Sequence, residues 1–301
     1  MTLPLYQQIQ QFYDSSSGLW EQIWGEHMHH GYYGAAGDQP KERRQAQIDL
    51  IEELLQWAEV QQPQAILDVG CGIGGSSLYL AQKFNAAVTG ITLSPVQASR
   101  ATERAKEAGI EPVSDFRRFP RPQAQFQVAD ALNLPFGDRS FDLVWSLESG
   151  EHMPDKVQFL EECYRVLKPG GTFLMATWCH RPTQPYAAPL TQEEQQHLAE
   201  IYRVYCLPYV ISLPEYAAIA RGAYSTNPQA FGFQNIRTVD WSTAVAPFWD
   251  DVIGSAFNPV ALWGLLASGW TTIQAALSLG LMRDGYRRGL IQFGILCGTK
   301  N

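Results

Sequence analysis

Apolar positions repeat with two different periods along this chain. Over residues 4–57 they return at helical spacing, with Tyr6, Ile9, Phe12 and Tyr13 on one face and Ile48, Ile51, Leu54 and Leu55 on another. Further on, short apolar runs alternate with helical stretches. Strands are expected at 66–69, 87–91, 126–128, 141–145 and 172–177, and again at 235–241 and 289–297. Helices fit 76–83, 95–107 and 155–166, the last stopped by Lys168-Pro169-Gly170-Gly171. This βαβα rhythm predicts an α/β fold with a doubly wound, mostly parallel seven-stranded sheet. Ligands on such sheets sit beyond the C-terminal ends of the strands.

Two stretches read as helical insertions that rise over one face of the sheet as a lid: 181–222, rich in Tyr and Pro, and 252–282. The expected organisation is a helical cap at 1–60, a ligand-binding core at 61–180, and lid insertions with the last strands at 181–301. Residues 252–282 carry no charge, which raises the question of a membrane span. Asn258-Pro259, Gly264, Gly269 and Gly280 interrupt them, and the strands on either side belong to one sheet, so a span would part them across a bilayer. A pair of apolar helices covering a greasy pocket, or touching a membrane surface, is the expectation.

Hydrophobic residues make up 46% of the 301 and charged ones 17%, enough for a sizeable core. The net charge of -8 and the scattered basic pairs Arg43-Arg44, Arg117-Arg118 and Arg287-Arg288 argue against a nucleic-acid partner. Five cysteines, an odd number at no zinc spacing, point to a reducing compartment. No signal or transit peptide is visible in the first residues, which fits a prokaryotic host or a mature chain.

The first strand runs into Asp68-Val69-Gly70-Cys71-Gly72-Ile73-Gly74, a tight strand-to-helix turn whose glycines let backbone approach a ligand. Such a turn could bind a dinucleotide, a nucleoside phosphate or an uncharged nucleoside. Asp68 separates them, because a carboxylate at the mouth repels pyrophosphate and suits an amino acid's ammonium group. After the second strand, where many such folds place an acid for the ribose hydroxyls, this chain has Thr92-Leu93-Ser94-Pro95. The Thr92 hydroxyl and the Gln97 amide could replace that acid, while Ser94-Pro95 reads as an N-cap with Pro at N1. Asp130 after the third strand can accept from an adenine amino group, with Ala131 and Leu132 forming an apolar slot. The fourth strand ends in Leu147-Glu148-Ser149-Gly150-Glu151-His152, where two carboxylates and a histidine at the sheet mouth suit general-base or orienting work. His27, His29 and His30 match no zinc motif and are expected to line a pocket with Tyr32 and Tyr33. No metal is expected.

Together these segments resemble class I methyltransferases, which have a Rossmann-like fold. The run W-E-x-x-W-G-E-H-M-H-H-G-Y-Y-G over 20–34, with I-L-D-V-G-C-G-I-G-G, G-I-T-L-S-P-V-Q, W-S-L-E-S-G-E-H-M-P-D-K and A-T-W-C-H-R-P, is similar to the γ-tocopherol methyltransferases of photosynthetic organisms. The similarity runs nearly end to end, with longer loops at 109–125 and 222–231. It implies S-adenosylmethionine as cofactor, held by Asp68, Gly70, Cys71, Gly72, Gly74, Thr92, Leu93, Gln97, Asp130, Ala131, Leu132 and Leu147. It implies C-methylation of the chromanol ring of γ- and δ-tocopherol, giving α- and β-tocopherol. Glu151 and His152 would assist phenol deprotonation, with Glu148 orienting. His29, His30, Tyr32 and Tyr33 would close over the head group, and Trp249, Phe257, Trp263 and Trp270 would line the path of a prenyl tail. A lipophilic acceptor, peripheral membrane contact and a cytoplasmic, thylakoid or plastid setting follow from the same likeness. The competing readings are a related enzyme acting on a prenylated quinol, sterol or amine, and a non-catalytic binding protein. A nicotinamide dehydrogenase conflicts with Asp68 and with the missing ribose-binding acid.

Overall fold

In the computed structural model, residues 5–113, 122–226, 231–256 and 270–301 are described. Helices α1 (Leu5–Trp24) and α2 (Arg43–Trp57) precede β1 (Ala65–Val69), α3 (Gly75–Phe84), β2 (Ala87–Thr92), α4 (Pro95–Glu107), β3 (Gln123–Val128) and β4 (Phe141–Leu147). A single 3-10 turn (Gly150–His152) leads into α5 (Lys156–Val166) and the long β5 (Leu167–His180). Helices α6 (Gln192–Val204) and α7 (Leu213–Ala220) follow, then β6 (Gln234–Asp240), α8 (Ser242–Val245), α9 (Pro247–Ala256), α10 (Trp270–Arg287) and β7 (Ile291–Thr299).

The seven strands form one sheet in the order β3-β2-β1-β4-β5-β7-β6, parallel except that β7 runs antiparallel to both neighbours. This is the expected doubly wound, mostly parallel sheet. Its strand order reverses between β1 and β4, and the crevice beyond their C-terminal ends is where such folds bind ligands. Alternate residues feed two cores, as strand pleating requires. Ile66, Leu143 and Leu174 pack under α2, α9 and α10, while Leu67, Val144 and Phe173 pack under α5 and α7.

Local chemistry sets the helix starts. The Ser94 hydroxyl accepts from Gln97 N at 3.0 Å with Pro95 in the first turn, so the expected cap is present. Asp155 caps Gln158 N in the same way. Two expectations need correction. Strand β5 begins at Leu167 rather than 172, because Lys168–Gly171 forms an irregularity opposite Phe141–Leu143, with Gly170 at φ +77°. The helical reading of 4–57 breaks at 25–42, where the chain is irregular and crosses the start of α2. Gly31 makes that crossing possible, since a Cβ there would lie 2.5 Å from Ala46 Cβ.

The pairing of β6 with β7 places both ends of the charge-free stretch on one sheet edge. No described helix is long and apolar enough to cross a membrane. Phe257 and Trp263 lie outside the described residues, as do parts of the loops at 109–125 and 222–231.

Candidate active site

The β1–α3 turn builds one wall. Asp68 is 2% exposed, and its Oδ2 accepts from Ser77 Oγ at 2.5 Å. Burial pushes its carboxyl up to about 7, against the opposing pull of the Ser77 hydroxyl. Gly70 and Cys71 both donate their N–H to Ile91 O at 2.9 Å. Gly70 has φ +83°, and a Cβ there would meet Ser149 Cβ at 2.2 Å, so only glycine lets this turn sit against the loop after β4. Ser149 Oγ closes the junction by donating to Val69 O at 2.6 Å.

Between these loops lies a cavity of about 980 Å³, its open mouth included. Of the twelve residues expected to hold cofactor, Asp68, Gly70, Cys71, Gly72, Thr92, Leu93, Gln97, Asp130, Ala131 and Leu147 line it. The other two are placed elsewhere. Gly74 starts α3 at φ +84°, where a Cβ would press on Phe126 and Ala101, so it serves helix packing. Leu132 turns into the core beneath α5. Thr92 Oγ1 donates to Gln97 Oε1 at 2.7 Å, joining the two groups expected near a ribose. Asp130 Oδ1 accepts from Leu132 N at 2.9 Å and from Tyr6 Oη at 3.4 Å.

Helix α1 covers this cavity with Tyr6, Ile9 and Tyr13, and Met28 and His29 complete the cover. None of these is among the residues expected to hold cofactor, and His29 is expected over the acceptor head group instead. The available signal was a pair of tyrosine hydroxyls on an otherwise apolar helical stripe. Glu21, whose carboxylate takes both Nε and Nη2 of Arg100, ties α1 to α4, and Ser94 Oγ donates to Asp14 at 2.5 Å.

A smaller cavity adjoins the first, lined by Phe12, Tyr13, Trp24, Met28, Glu148, Glu151, His152, Trp178 and Tyr205. Tyr13, Met28, Glu148 and His152 face both cavities. Glu148 sits at φ +53°, and its carboxylate accepts from His30 N (2.7 Å), His30 Nδ1 (2.8 Å) and Trp178 Nε1 (3.0 Å). Burial raises its pKa, but the charge of His30 and the two bonds His30 donates outweigh it and hold the carboxyl below its ordinary range. Glu151 goes the other way, up to about 8, through burial and the nearby Glu148 charge, although the Thr177 hydroxyl donates to it at 2.6 Å. Burial and the Lys156 charge press His152 down to about 3, so its ring is neutral. Its Nε2 lies 2.6 Å from Tyr13 Oη. Burial, then the charges of Glu151 and Glu148, drive the Tyr13 hydroxyl upward, so Tyr13 donates and Nε2 accepts.

Four residues expected to touch acceptor line neither cavity, which corrects that expectation. His30 is fully buried, with ring centroids of Phe248 and Trp249 at 4.8 and 4.9 Å. Trp249 is equally buried, Tyr33 is 3% exposed, and Tyr32 packs on Trp241 at 5.3 Å. The cause is the close crossing at Gly31, which turns these rings into the interface with α2, α8 and α9. His29 does reach the cofactor cavity, and burial with the neighbouring His27 presses it down to about 3. The described residues hold no group of three or more His, Cys, Asp or Glu arranged for a metal ion.

A buried carboxylate beside a glycine turn, a Thr–Gln pair and a loop aspartate at a strand-order switch fit an amino-acid-bearing nucleoside. Fold and cavity together define a class I S-adenosylmethionine-dependent methyltransferase. Comparison with known proteins agrees. Residues 67–175 match the family model described as a methyltransferase domain. A probable tocopherol O-methyltransferase, chloroplastic, of Oryza sativa subsp. japonica is 48% identical over 294 residues, spanning 96% of this chain and 76% of the relative. The tocopherol O-methyltransferase, chloroplastic, of Arabidopsis thaliana is 44% identical over 301 residues, spanning 97% and 81%. A solved Galdieria sulphuraria structure, assigned as a sarcosine dimethylglycine methyltransferase, superposes with a TM-score of 0.75 at 25% identity, covering 96% of this chain and 99% of that one. The chain belongs to the tocopherol O-methyltransferase family.

Proposed function

We propose that this enzyme methylates the ring carbon beside the phenol of γ-tocopherol and δ-tocopherol, giving α-tocopherol and β-tocopherol. The observation that carries the reading is the pair Tyr13–His152. His152 Nε2 accepts from the Tyr13 phenol at 2.6 Å on the wall between the two cavities, and an acceptor phenol in the smaller cavity would take the place of Tyr13 on that nitrogen. The kinship with enzymes named for tocopherol supports this acceptor class.

S-adenosylmethionine supplies a sulfonium methyl group when bound. On this chain Asp68 would hold its ammonium, Thr92 and Gln97 the ribose hydroxyls, and Asp130 the adenine amino group, with Ala131 and Leu147 against the ring. Neutral His152 would accept a hydrogen bond from the phenol at Nε2, which raises electron density on the adjacent ring carbon. That carbon gains the methyl and loses its hydrogen, so one proton is released per turnover. Glu148, fixed by three hydrogen bonds, would orient the acceptor. Glu151 holds its proton at neutral pH and would act as a donor, not a base. Phe12, Trp24, Trp178 and Tyr205 would pack on the chromanol, and α1 would exclude water. The cap at 1–60, the core at 61–180 and the insertions at 181–301 would divide these tasks. The charge-free stretch at 252–282 would touch the membrane that holds the lipid acceptor, in a plastid or a photosynthetic prokaryote.

The test is methyl transfer from labelled S-adenosylmethionine to γ-tocopherol, with a prenylated hydroquinone, a sterol and sarcosine alongside. Label in α-tocopherol that keeps an oxidisable phenol supports transfer to carbon. Label in a phenyl ether, or only in another acceptor, refutes the reading.

A further inference from the structure

Lys156 takes no part in the chemistry above, yet it occupies an unfavourable place. It is the first residue of α5, where the positive end of the helix opposes a cation, and it is 2% exposed. Burial pushes its amine down to about 7, with Glu151 and Cys179 acting against the fall. A lysine held where both terms disfavour its charge needs a compensating task. Its contacts supply one. Nζ donates to Gly150 O at 2.8 Å and to Glu151 O at 3.0 Å, and lies 4.9 Å from the Tyr209 ring centroid. Both carbonyls belong to the single 3-10 turn that carries His152.

We propose that Lys156 is a positioning residue for methyl transfer, its ammonium gripping the Gly150 and Glu151 carbonyls so that the turn delivers His152 Nε2 to the wall between the cavities. The inference rests on His152 Nε2 as the hydrogen-bond acceptor for the acceptor phenol. A turn of three residues has too few bonds of its own to hold a side chain within hydrogen-bond tolerance. Within it, His152 N donates to Ser149 O at 3.1 Å and Met153 N to Gly150 O at 3.2 Å, both long. Tyr216 Oη adds a third grip from α7, donating to Gly150 O at 3.2 Å. Lys156 Nζ supplies two further bonds to the turn, at 2.8 and 3.0 Å.

The experiment reads the Nε2 resonance of His152 by 15N NMR in the full-length protein bound to S-adenosylhomocysteine. The signal is assigned by its loss in His152→Ala, and Tyr13→Phe marks the position without the tyrosine bond. In Lys156→Met, Nε2 is expected to move to the Tyr13→Phe position, and kcat to fall about ten-fold or more. The KM for S-adenosylmethionine should stay within about two-fold, and Lys156→Arg should restore part of both losses. If Lys156→Met does not fold, Lys156→Gln is read in the same way. Nε2 at its wild-type position, or a wild-type kcat, overturns the proposal. The NMR readout needs no acceptor, so failure to methylate γ-tocopherol would sink the function proposed above and leave this inference standing.

Discussion

Asp68→Asn should stabilise the ligand-free protein and abolish its cofactor binding. The carboxyl is pushed up to about 7 from an ordinary 3.8 by burial. At ~1.4 kcal/mol per pH unit, that difference sets a ceiling of ~4 kcal/mol for the cost of its charge in the folded state. Relaxation around the charge reduces this to about 2 kcal/mol, or ~4 °C in Tm for a chain of this length. The sign follows from proton counting. Between pH 3.8 and 7 the folded state keeps a proton that the unfolded state has lost, so stability falls as pH rises through this window. The wild type therefore carries the full cost at pH 8, and Asn, which can still accept from Ser77, does not. Cofactor affinity runs the other way, because an ammonium needs the ionised form. A group titrating near 7 is about 90% ionised at pH 8 and about 10% at pH 6, so wild-type affinity should drop roughly ten-fold between them. The Asn variant should bind at least 30-fold more weakly at pH 8, about 2 kcal/mol or more, with no such slope. Thermal unfolding at pH 5 and pH 8, with calorimetric titration of S-adenosylmethionine, decides the matter. Wild-type affinity in Asp68→Asn, or no gain in its Tm at pH 8, would refute the reasoning.

Other substitutions test the acceptor side. His152→Ala should lower kcat by about 10²-fold and leave the calorimetric affinity for S-adenosylmethionine within about two-fold. Glu148→Gln should cost about 3 kcal/mol in denaturant unfolding at pH 7, because it strands the buried His30 imidazole. The folded pKa of Glu148 is depressed, so that stability is present above its ordinary 4.5 and is lost as pH falls through the folded value. Glu151, held up to about 8, should tolerate Gln at pH 7 with near-wild-type turnover. At pH 9 the Gln variant should be the more stable, since ionisation of Glu151 is then removed. Trp178→Ala should raise the acceptor KM at least ten-fold while disturbing the Glu148 bond it donates.

The sheet was legible because alternating apolar runs and turn glycines are local signals. Asp68, Thr92, Gln97 and Asp130 were legible for the same reason, since each stands within a few residues of a strand end. The contribution of α1 was not. Tyr13 meets His152 across 139 positions, and an apolar stripe does not announce whether it faces a core or a ligand. His30 misled because a histidine run followed by two tyrosines reads as pocket lining, whereas the Gly31–Ala46 approach turned that segment inward. Gly74 and Leu132 show a related limit. A loop motif names the residues that shape a site together with those that touch the ligand, and only packing separates the two. Lys156 carries no signal in the sequence, because its partners are two backbone carbonyls that any residue would supply.

Glu148, Glu151 and His152 lie within five residues, yet their surroundings give each a different protonation state at pH 7. The charge of His30 and its two hydrogen bonds keep Glu148 ionised despite its burial. The Glu148 charge, added to desolvation, keeps the proton on Glu151. Burial keeps His152 neutral, with Nε2 turned toward a phenol donor. Pairs of groups pushed apart in pKa by their environment divide acid from base in enzyme sites. Here the division begins at His30, which touches neither cavity. Removing its imidazole should release Glu148 upward, relax the pressure on Glu151, and bring the two carboxyls toward a shared proton. A buried residue outside the site would thus control which carboxyl is charged beside the acceptor. His30→Phe, which fills the space without a donor, should therefore shift the pH profile of kcat as well as lower its height. A change in height alone would mean that the states of Glu148 and Glu151 are set locally.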